Sequence, residues 1–475
     1  MRAVAFCLLV ACNTVPNPVY CTASADCADV AGRPFCDLAG DFDLKNTCVA
    51  DPQTCDVERP CTLAGLPACV TGVCMECDDN PDCAGQQGTP ACGAAHECVE
   101  CTASTDCSGT RPVCDTAAET CHACTQDGEC ATGACNKTTG ACHIENDLVF
   151  VQPGGSGTSC TRAMPCGTML DALNAVIGSR DVIMASGTFT EALAIVDFDT
   201  TIKGPATFAG VAGMPVVRVM GNKPVRLENV TIDPSDSAGV RCTGSGGRAS
   251  LVLENVQMLA GTSVGVDLDT CDALLNRTRI ASQTGLGITT LASSLTIRRS
   301  EILSNAGGGI RLDGTDYDIE NTIIALNGTD GDTGSAVGGV YLASDNPGGT
   351  VKARFEFNTV AFNVADNTTV FEGFHCAAAT PVTFGNSIVF GTNTDVVATT
   401  ATMCSWHHSA FNINVAGAGN LLSNLKFKNN ASDFHLDVGS ACTNLAEMAT
   451  TVTVDFDGEP RPANGRADIG ADELQ

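Results

Sequence analysis

The sequence predicts an all-β fold, a parallel β-helix (solenoid) preceded by a disulfide-rich cysteine-repeat region. Three observations predict it: strand-like segments recur about every 22 residues, cysteines are concentrated in the first third of the chain, and aromatic residues make up only 5% of 475 residues. A core with few rings must come from small aliphatic residues stacked coil upon coil, which is how solenoids bury apolar surface.

The charge balance limits the partners. The chain has 54 acidic and 25 basic residues and a formal net charge of −29. A nucleic-acid binder needs a basic surface to neutralise phosphates, so we expect no nucleic-acid partner. The acidic residues fit a solvated surface, and bound divalent cations are the other interpretation.

Residues 1–20 are expected to be a signal peptide and a short linker. The apolar run over residues 3–11 is far shorter than the ~20 residues that span a bilayer. It ends in LVAC, which resembles the lipobox of bacterial lipoproteins. The resemblance implies acylation of Cys12 and a place at the outer membrane or cell surface, contacting the membrane only through the lipid anchor. The alternative is that Cys12 is one more disulfide cysteine.

Residues 21–142 contain five cysteine repeats of four cysteines each. Every repeat opens with the spacing CX5C, and an acidic residue usually precedes the second cysteine, as Asp106 and Glu129 do. Such short segments cannot bury enough apolar surface to fold without cross-links, and four cysteines allow two disulfides of undetermined pairing. CX2C pairs such as CMEC make zinc the competing interpretation. The repeats resemble cysteine-rich arrays ahead of β-helices in surface proteins of predatory and gliding soil bacteria, which implies a spacer or protein-binding stalk.

Residues 143–180 are predicted to form a first strand and a helix that caps the open end of the solenoid. The strand LVFV is followed by a glycine-rich turn and then by a predicted helix over residues 168–179. Strand structure is predicted to resume over residues 181–195, and the GTFTE within this stretch resembles the GTYxE turn that opens many right-handed β-helices. The helix should bury one apolar face, consisting of Met169, Leu170, Leu173, Val176 and Ile177.

The β-helix itself is predicted for residues 181–475. Segments such as VRLENVTI, SLVLENVQM and YDIENTII align with one polar position in register, and their alternation of apolar and polar residues predicts strands with one buried face. Asparagine tolerates a left-handed turn and can bond its counterpart in the next coil, so this column is predicted to be a structural ladder. Arg277 and Arg299 interrupt it, either as a site or as an outward salt-bridged face. The asparagines of the predicted ladder are Asn229, Asn255, Asn321, Asn358 and Asn386.

The C-terminal segments NSIVFGTN, SDFHLDVGSACTN and DFDGEPRPANGRADIGADE resemble those of bacterial right-handed β-helix proteins of the choice-of-anchor Q type. The resemblance runs from about Asp181 to the C-terminus and implies a right-handed, pectin-lyase-like β-helix. Cys442 stands where that family usually has proline. Asp455, Asp457 and Asp468 are expected to form a polar cap over the last coil, which a solenoid requires.

No catalytic residue is predicted. Enzymes of acidic polysaccharides need paired carboxylates, or calcium with a basic residue, and the NTD triplet over residues 393–395 lacks the other polygalacturonase motifs. No cofactor is predicted, but Asp330 and Asp332, in a glycine-rich insert, are candidates to hold calcium or to line a groove for a sugar. The other interpretation is a solvated loop.

The cysteines of the β-helix are disulfide candidates. Cys404 begins the segment CSWHH, and Cys376 follows His375. One interpretation is a disulfide between Cys376 and Cys404, and the other is a metal site that includes Cys404 with His375, His407 and His408. The six candidates are Cys160, Cys166, Cys242, Cys271, Cys376 and Cys404.

Three hypotheses for the role of the chain follow from this sequence. The first is an exported, non-catalytic surface module that binds polysaccharide or another cell-surface ligand. The second is a lyase or hydrolase of acidic polysaccharide, for which carboxylates and Arg or Lys should converge on one face near the insert. A pure spacer predicts no groove.

Overall fold

The structure is a computed structural model with two compact units, Met1–Ile144 and Glu145–Gln475. No helix in the part of the chain that it describes is long and apolar enough to cross a bilayer. It describes residues 21–475 apart from residues 23, 31–34, 38–45, 50–60, 62–65, 67, 72, 85, 235–236, 329–336, 345–352, 366–371, 379, 392–396, 400–402, 423–424, 449 and 464.

The cysteine repeats of the first unit are small hairpins closed by disulfides. Wherever the structure describes both cysteines, the first cysteine of a repeat pairs with the third and the second with the fourth, as in Cys77–Cys92 and Cys83–Cys98. Every described cysteine of this unit is disulfide-bonded, so those cysteines offer no thiolates to the zinc interpretation. The hairpin strands are Phe35–Asp37 with Thr47–Val49, Ala68–Val70 with Val73–Met75, Ala91–Cys92 with Cys98–Val99, Val113–Asp115 with Thr120–His122, and Cys135–Asn136 with Ala141–Cys142.

The acidic residue before the second cysteine closes a short turn. Asp106 Oδ2 accepts hydrogen bonds from the backbone N–H groups of Thr102 and Ala103 at 2.9 and 3.0 Å, and Glu129 accepts the same two bonds in the next repeat. The bond from Thr102 is the main reason that the pKa of Asp106 lies below its usual value. The short helices are Ser24–Cys27, Asn80–Cys83, Ser104–Asp106, Asp127–Glu129 and, in the second unit, Glu145–Asp147.

The second unit is a parallel β-helix, which confirms the predicted fold class. Strands of successive coils pair in parallel, and in the middle coils the paired residues are 22 positions apart, as Ala273, Leu295 and Tyr317 are. All three side chains are buried, and the residues immediately before and after each of them are exposed or half-buried. The spacing of the sequence repeat is therefore the length of one coil.

Each coil has three sides, and a left-handed corner separates the first two. The strand before this corner lies on what we call the long face, and the strand after it lies on the short face. Among the described residues, both faces belong to one sheet of twenty strands, and the third side is a separate sheet of nine strands.

The strand bounds follow the three sides. The long face contains Leu148–Val151, Val182–Ala185, Ala249–Glu254, Cys271–Asn276, Ser294–Arg298, Asp316–Glu320, Ala353–Glu356, Val382–Gly385 and Cys404–His407. The short face contains Gly187–Phe189, Gln257–Met258, Arg279–Ala281, Glu301–Leu303, Ile323–Ala325, Thr359–Ala361, Ile388–Phe390, Ala410–Phe411 and Leu421–Leu422, and Thr200–Ala209 and Pro224–Asp233 run through both faces. The third side contains Leu193–Val196, Val217–Gly221, Val240–Gly244, Val266–Asp269, Leu286–Leu291, Gly308–Asp313, Val340–Ser344, Phe374–Cys376 and Val397–Thr399.

The predicted capping helix is shorter than expected. It spans Met169–Asn174, and the Thr168 side chain accepts a hydrogen bond from the backbone N–H of Asp171 at 3.1 Å. Met169 and Leu173 are buried in the core of the first coils. Leu170 and Ile177 are 63% and 73% exposed, so these two assignments to the buried face were wrong. Because the helix ends at Asn174, Ile177 lies in the following turn.

The C-terminal segment, residues 425–475, lies across the short face of several coils, whereas the sequence predicted a cap over the last coil. It includes the antiparallel hairpin Phe427–Asn429 with Asp433–Leu436. Its backbone N–H groups at Gly470 and Ala471 donate to the coils, to the carbonyl oxygen of Asn386 at 2.9 Å and to Oγ1 of Thr359 on the short face at 3.0 Å. The segment covers apolar residues of the short face that would otherwise meet water, namely Leu303, Ile323, Ala325, Ala361, Ile388 and Ala410.

Arg461 is the buried centre of this segment. Its guanidinium donates to the carbonyls of Asp468, Gly470 and Ala471 at 2.9, 3.1 and 3.0 Å. It also stacks over the Phe357 ring, 4.4 Å from the centroid, and its Nε lies 3.7 Å from Glu473 Oε2. One buried side chain therefore joins the last residues of the chain to the coils.

Acidic side chains of the C-terminal segment accept hydrogen bonds from its backbone N–H groups. Asp455 and Asp468 are buried, and Asp455 Oδ1 accepts bonds from the N–H groups of Gly458 and Glu459 at 2.9 and 2.8 Å. Asp457 differs because its side chain is 49% exposed and lies 3.2 Å from His435 Nε2. The two buried carboxylates are structural caps, and Asp457 remains accessible to solvent.

Cys442 is the free cysteine among the described residues. It is buried in the cluster beneath the C-terminal segment, and burial raises the pKa of its thiol to about 12. A thiol that stays protonated at neutral pH is a poor nucleophile and a poor metal ligand.

Candidate functional site

The left-handed corner of the coils is where the sequence predicted an asparagine ladder. Residues with φ between 46° and 56° occupy it in successive coils, but one coil places Phe357 there instead of Asn358. The assignment of Asn358 was wrong by one residue, because Glu356 pairs with Glu320 and so aligns Phe357 with Asn321. The corner residues are Asn229, Asn255, Arg277, Arg299, Asn321, Phe357, Asn386 and, one coil further, His408, with φ of 44°.

The corner asparagines have different partners. Asn255 Nδ2 donates to Asn229 Oδ1 at 2.7 Å, which is a ladder contact. Asn321 instead donates to the carbonyl of Val454 at 2.7 Å, and Asn386 Oδ1 accepts the N–H of Glu447 at 2.6 Å. The later corner asparagines therefore hold the C-terminal segment.

A fully buried amide ladder lies elsewhere, at Asn305, Asn327 and Asn363 on the inside of the coil after the short face. The side-chain oxygen of Asn327 accepts from the Asn305 backbone N–H at 3.0 Å and from its Nδ2 at 2.9 Å, and Asn363 repeats both contacts to Asn327. Sequence reasoning missed this ladder. Its signal is an asparagine two residues after the strands Glu301–Leu303, Ile323–Ala325 and Thr359–Ala361.

The two arginines of the corner line a cleft, which we call the arginine cleft. Its volume is about 210 Å³, and the C-terminal segment forms its opposite wall with Phe456 and Asp457. Gly458 has φ of 93°, which favours glycine, and a Cβ there would stand 2.8 Å from Arg299 Nη1. The lining residues are Arg277, Thr278, Arg279, Arg299, Glu301, Phe456 and Asp457.

The two corner arginines are left without an ion pair. Arg279 pairs with Glu301 inside the cleft, but among the described residues no carboxylate oxygen lies within 4.0 Å of the guanidinium of Arg277 or Arg299. The pKa of Arg299 is lowered first by burial and then by the charge of Arg277. Arg277 and Arg299 therefore do not form the outward salt-bridged face that was one of the two interpretations of the sequence.

Carboxylates and arginines also converge on the long face beside the insert. Arg298 Nε lies 2.6 Å from Glu320 Oε1, and Arg354 Nη1 lies 2.7 Å from Glu320 Oε2. Asp318 lies 2.5 Å from Arg298, and Glu356 lies 2.8 Å from Arg354. Burial raises the pKa of Glu320, and the two arginines oppose that rise. Each carboxylate is already paired, which is typical of a structural network.

The structure pairs the six disulfide candidates of the β-helix with one another. The bonds are Cys160–Cys166, Cys242–Cys271 and Cys376–Cys404. Cys404 is therefore not a thiolate ligand beside His407 and His408, and the structure brings Glu447 to those histidines instead. Cys12, Asp330 and Asp332 lie outside the described residues.

One family model matches part of the β-helix. The family model described as "Right handed beta helix region" matches residues 216–389. No curated protein matches the chain in sequence.

Three solved structures are similar to the chain at low identity. A structure of pectate lyase Pel9A is 13% identical with a TM-score of 0.37, over 69% of this chain and 96% of that one. A pectin methylesterase from Aspergillus niger is 12% identical with a TM-score of 0.29, over 59% of this chain and 88% of that one. The Dettilon tailspike protein is 11% identical with a TM-score of 0.27, over 58% of this chain and 67% of that one. At these values the likeness is to the solenoid alone.

The chain is thus a right-handed parallel β-helix with a disulfide-rich N-terminal region. The many disulfides indicate an exported or extracellular protein.

Proposed function

We propose that the β-helix binds carboxylated or sulfated polysaccharide in the arginine cleft and does not cleave it. The observation that carries this proposal is the pair Arg277 and Arg299, adjacent in the stack of coils and without an ion pair among the described residues. Neighbouring coils are about 4.8 Å apart, so the two guanidinium groups can engage neighbouring anionic groups of one polymer.

The charge of the chain makes this pair unusual. Two arginines next to each other repel, and burial of Arg299 adds a desolvation cost. The charges of Glu254 and Asp455 act in the opposite direction on Arg299, but neither carboxylate forms an ion pair with it. An anionic ligand would remove the repulsion and form charge-assisted, bidentate hydrogen bonds, which arginine makes better than lysine.

The other wall of the arginine cleft suits a sugar. Phe456 supplies an aromatic surface, Thr278 is buried at the base, and Asp457 is an exposed acceptor for hydroxyl groups. Ligand sites combine apolar walls with a few directed polar groups. The cleft is also open at the surface, as binding along a polymer requires.

Replacing both arginines is expected to weaken binding about 100-fold, since a hydrogen bond to a charged group contributes about 1.5–3 kcal/mol and 1.4 kcal/mol is tenfold in affinity. The measurement is calorimetric titration of the full chain and of Arg277→Gln/Arg299→Gln with oligogalacturonate, a heparin oligosaccharide and neutral cellohexaose. The matched control, Arg218→Gln/Lys223→Gln, removes two exposed positive charges elsewhere on the β-helix. Equal weakening in the control would show general charge attraction and contradict a specific site.

The same titrations test calcium. We propose that Asp330 and Asp332 of the insert bind calcium and support the polysaccharide, since carboxylate oxygens are its preferred ligands. Affinity should then rise on calcium addition in the wild-type chain and not in Asp330→Asn/Asp332→Asn. An identical calcium effect in both proteins would reject these two ligands.

Cleavage is the second candidate function, and the converging charges on the long face favour it. Glu320 has the raised pKa that a general acid needs, and Asp318 lies two residues away on the same side of its strand. Product analysis after long incubation with each acidic polymer separates the two functions. Shortened products that disappear in Glu320→Gln would establish cleavage.

We also propose that Cys12 is acylated and that the β-helix is displayed at the outer membrane or cell surface. The lipobox-like LVAC supports acylation, and the resemblance of the cysteine repeats to arrays in bacterial surface proteins supports display at the surface. Cells expressing the full chain should incorporate labelled palmitate into it, and Cys12→Ser should release it from the membrane fraction. Unchanged labelling in Cys12→Ser would contradict acylation at this residue.

A further inference from the structure

Two histidines and a glutamate meet where the C-terminal segment crosses one of the last coils. His407 Nδ1 lies 3.4 Å from His408 Nδ1 and 3.4 Å from Glu447 Oε2. One ligand atom from each residue lies within 4.8 Å of the other two. The contact between the rings is longer than the usual 2.7–3.2 Å of a nitrogen hydrogen bond, so hydrogen bonding alone explains it poorly.

These distances match those between ligands of one metal ion. Zinc binds imidazole nitrogen at about 2.0–2.1 Å and carboxylate oxygen at about 2.0–2.2 Å in a tetrahedron. The edge of such a tetrahedron is about 3.3–3.5 Å, which is the separation of His407 Nδ1 from each of the other two ligand atoms.

The fold builds this arrangement from several separate features. His408 occupies the left-handed corner that asparagine or arginine takes in most other coils, with φ of 44°. Glycines lie against both rings, since a Cβ at Gly385 would stand 2.4 Å from the His407 ring and a Cβ at Gly419 would stand 2.3 Å from the His408 ring. No larger residue fits beneath either imidazole in these positions.

Glu447 is brought in by the backbone of the C-terminal segment. Its N–H donates to Asn386 Oδ1 at 2.6 Å, and Asn386 is the corner residue one coil before His408. The side chains of His407 and Glu447 are 28% and 43% exposed. An ion held by the three residues would therefore have a position open to water.

We infer that His407, His408 and Glu447 bind a divalent transition-metal ion of the zinc class, with a fourth position left for water. Imidazole nitrogen selects zinc, copper or nickel over calcium, so this site is distinct from the calcium proposed for the insert. Because the histidines belong to a coil and Glu447 to the C-terminal segment, the bound ion ties the segment to the solenoid.

The test uses the oxidised full chain without a polyhistidine tag, titrated with Zn²⁺ by calorimetry. We expect one equivalent to bind and the unfolding temperature to rise with zinc concentration. His408→Asn and Glu447→Gln should each weaken binding at least about 100-fold, since loss of even an outer partner of a metal ligand costs about 10–100-fold. Cobalt should give the intense visible absorption of a tetrahedral ion in the wild-type chain and lose it in both variants.

The variants are chosen to keep the fold. Asparagine already occupies this corner in other coils, so His408→Asn should leave the unfolding temperature of the metal-free chain unchanged. His122→Gln removes an imidazole from the cysteine repeats and should not alter zinc affinity. Zinc binding that is absent, or that survives in His408→Asn and Glu447→Gln, would overturn the inference.

Discussion

Replacing Arg461 with methionine is expected to lower the free energy of unfolding of the β-helix by about 3–5 kcal/mol, the cost of removing one partner of a buried ion pair. The substitution removes the arginine donor from three carbonyls, of which that of Ala471 keeps the backbone N–H of Phe456 at 2.9 Å, and it leaves Glu473 without its cation. It also removes the stacking on Phe357. Lysine should restore little, because an ammonium group cannot reproduce the planar set of donors.

The single tryptophan makes this measurable in the full chain. Trp406 is 2% exposed in the core of the β-helix, so its fluorescence during guanidinium unfolding reports on that unit alone. Arg241→Met is the control, because Arg241 forms an exposed pair with Asp267 that should contribute about 0–1 kcal/mol. If Arg461→Met unfolds at the same denaturant concentration as Arg241→Met, the structural role given to Arg461 is wrong.

Asn327→Ala is expected to cost about 2–4 kcal/mol, since each buried polar group left without a partner costs about 1–3 kcal/mol. Removing the amide leaves the Asn305 backbone N–H and the Ile302 carbonyl unsatisfied inside the coil. The same fluorescence measurement applies.

The exposed ladder provides the matched comparison. Asn255→Gly removes the amide contact to Asn229 while keeping a residue that readily adopts the left-handed corner. Because Asn255 is exposed, the expected loss is well under that of Asn327→Ala. Equal losses would mean that burial does not distinguish the two ladders.

The fold was predictable because its determinants are local and repeated. Alternating burial at Val225, Arg226 and Leu227 is repeated at each coil, and the left-handed corner selects asparagine at Asn229, Asn255 and Asn321. The alignment did not place Phe357 in the corner because the insert lengthens this coil. The aromatic ring is favoured there by its contact with Arg461, which is 104 positions away in the sequence.

The sites depend on contacts that no local pattern encodes. Phe456 reaches Arg299, and Glu447 reaches His408, only because the C-terminal segment folds back across the short face. The sequence indicated Arg277 and Arg299 as a break in the ladder. That they form no ion pair could be recognised only from the positions of Glu301 and Asp457 in the fold. The pairing of the cysteines in the repeats could likewise not be predicted without the structure of the hairpins.

The central proposal, binding of an anionic polysaccharide without cleavage, is tested most directly by one paired titration. The full chain is titrated with polygalacturonate and with the same polymer after its carboxyl groups have been reduced to alcohols. We expect binding to the charged polymer alone, weakening as salt is raised, with the polymer recovered at its original length. Equal affinity for both polymers, or recovery of shortened chains, would contradict the proposal.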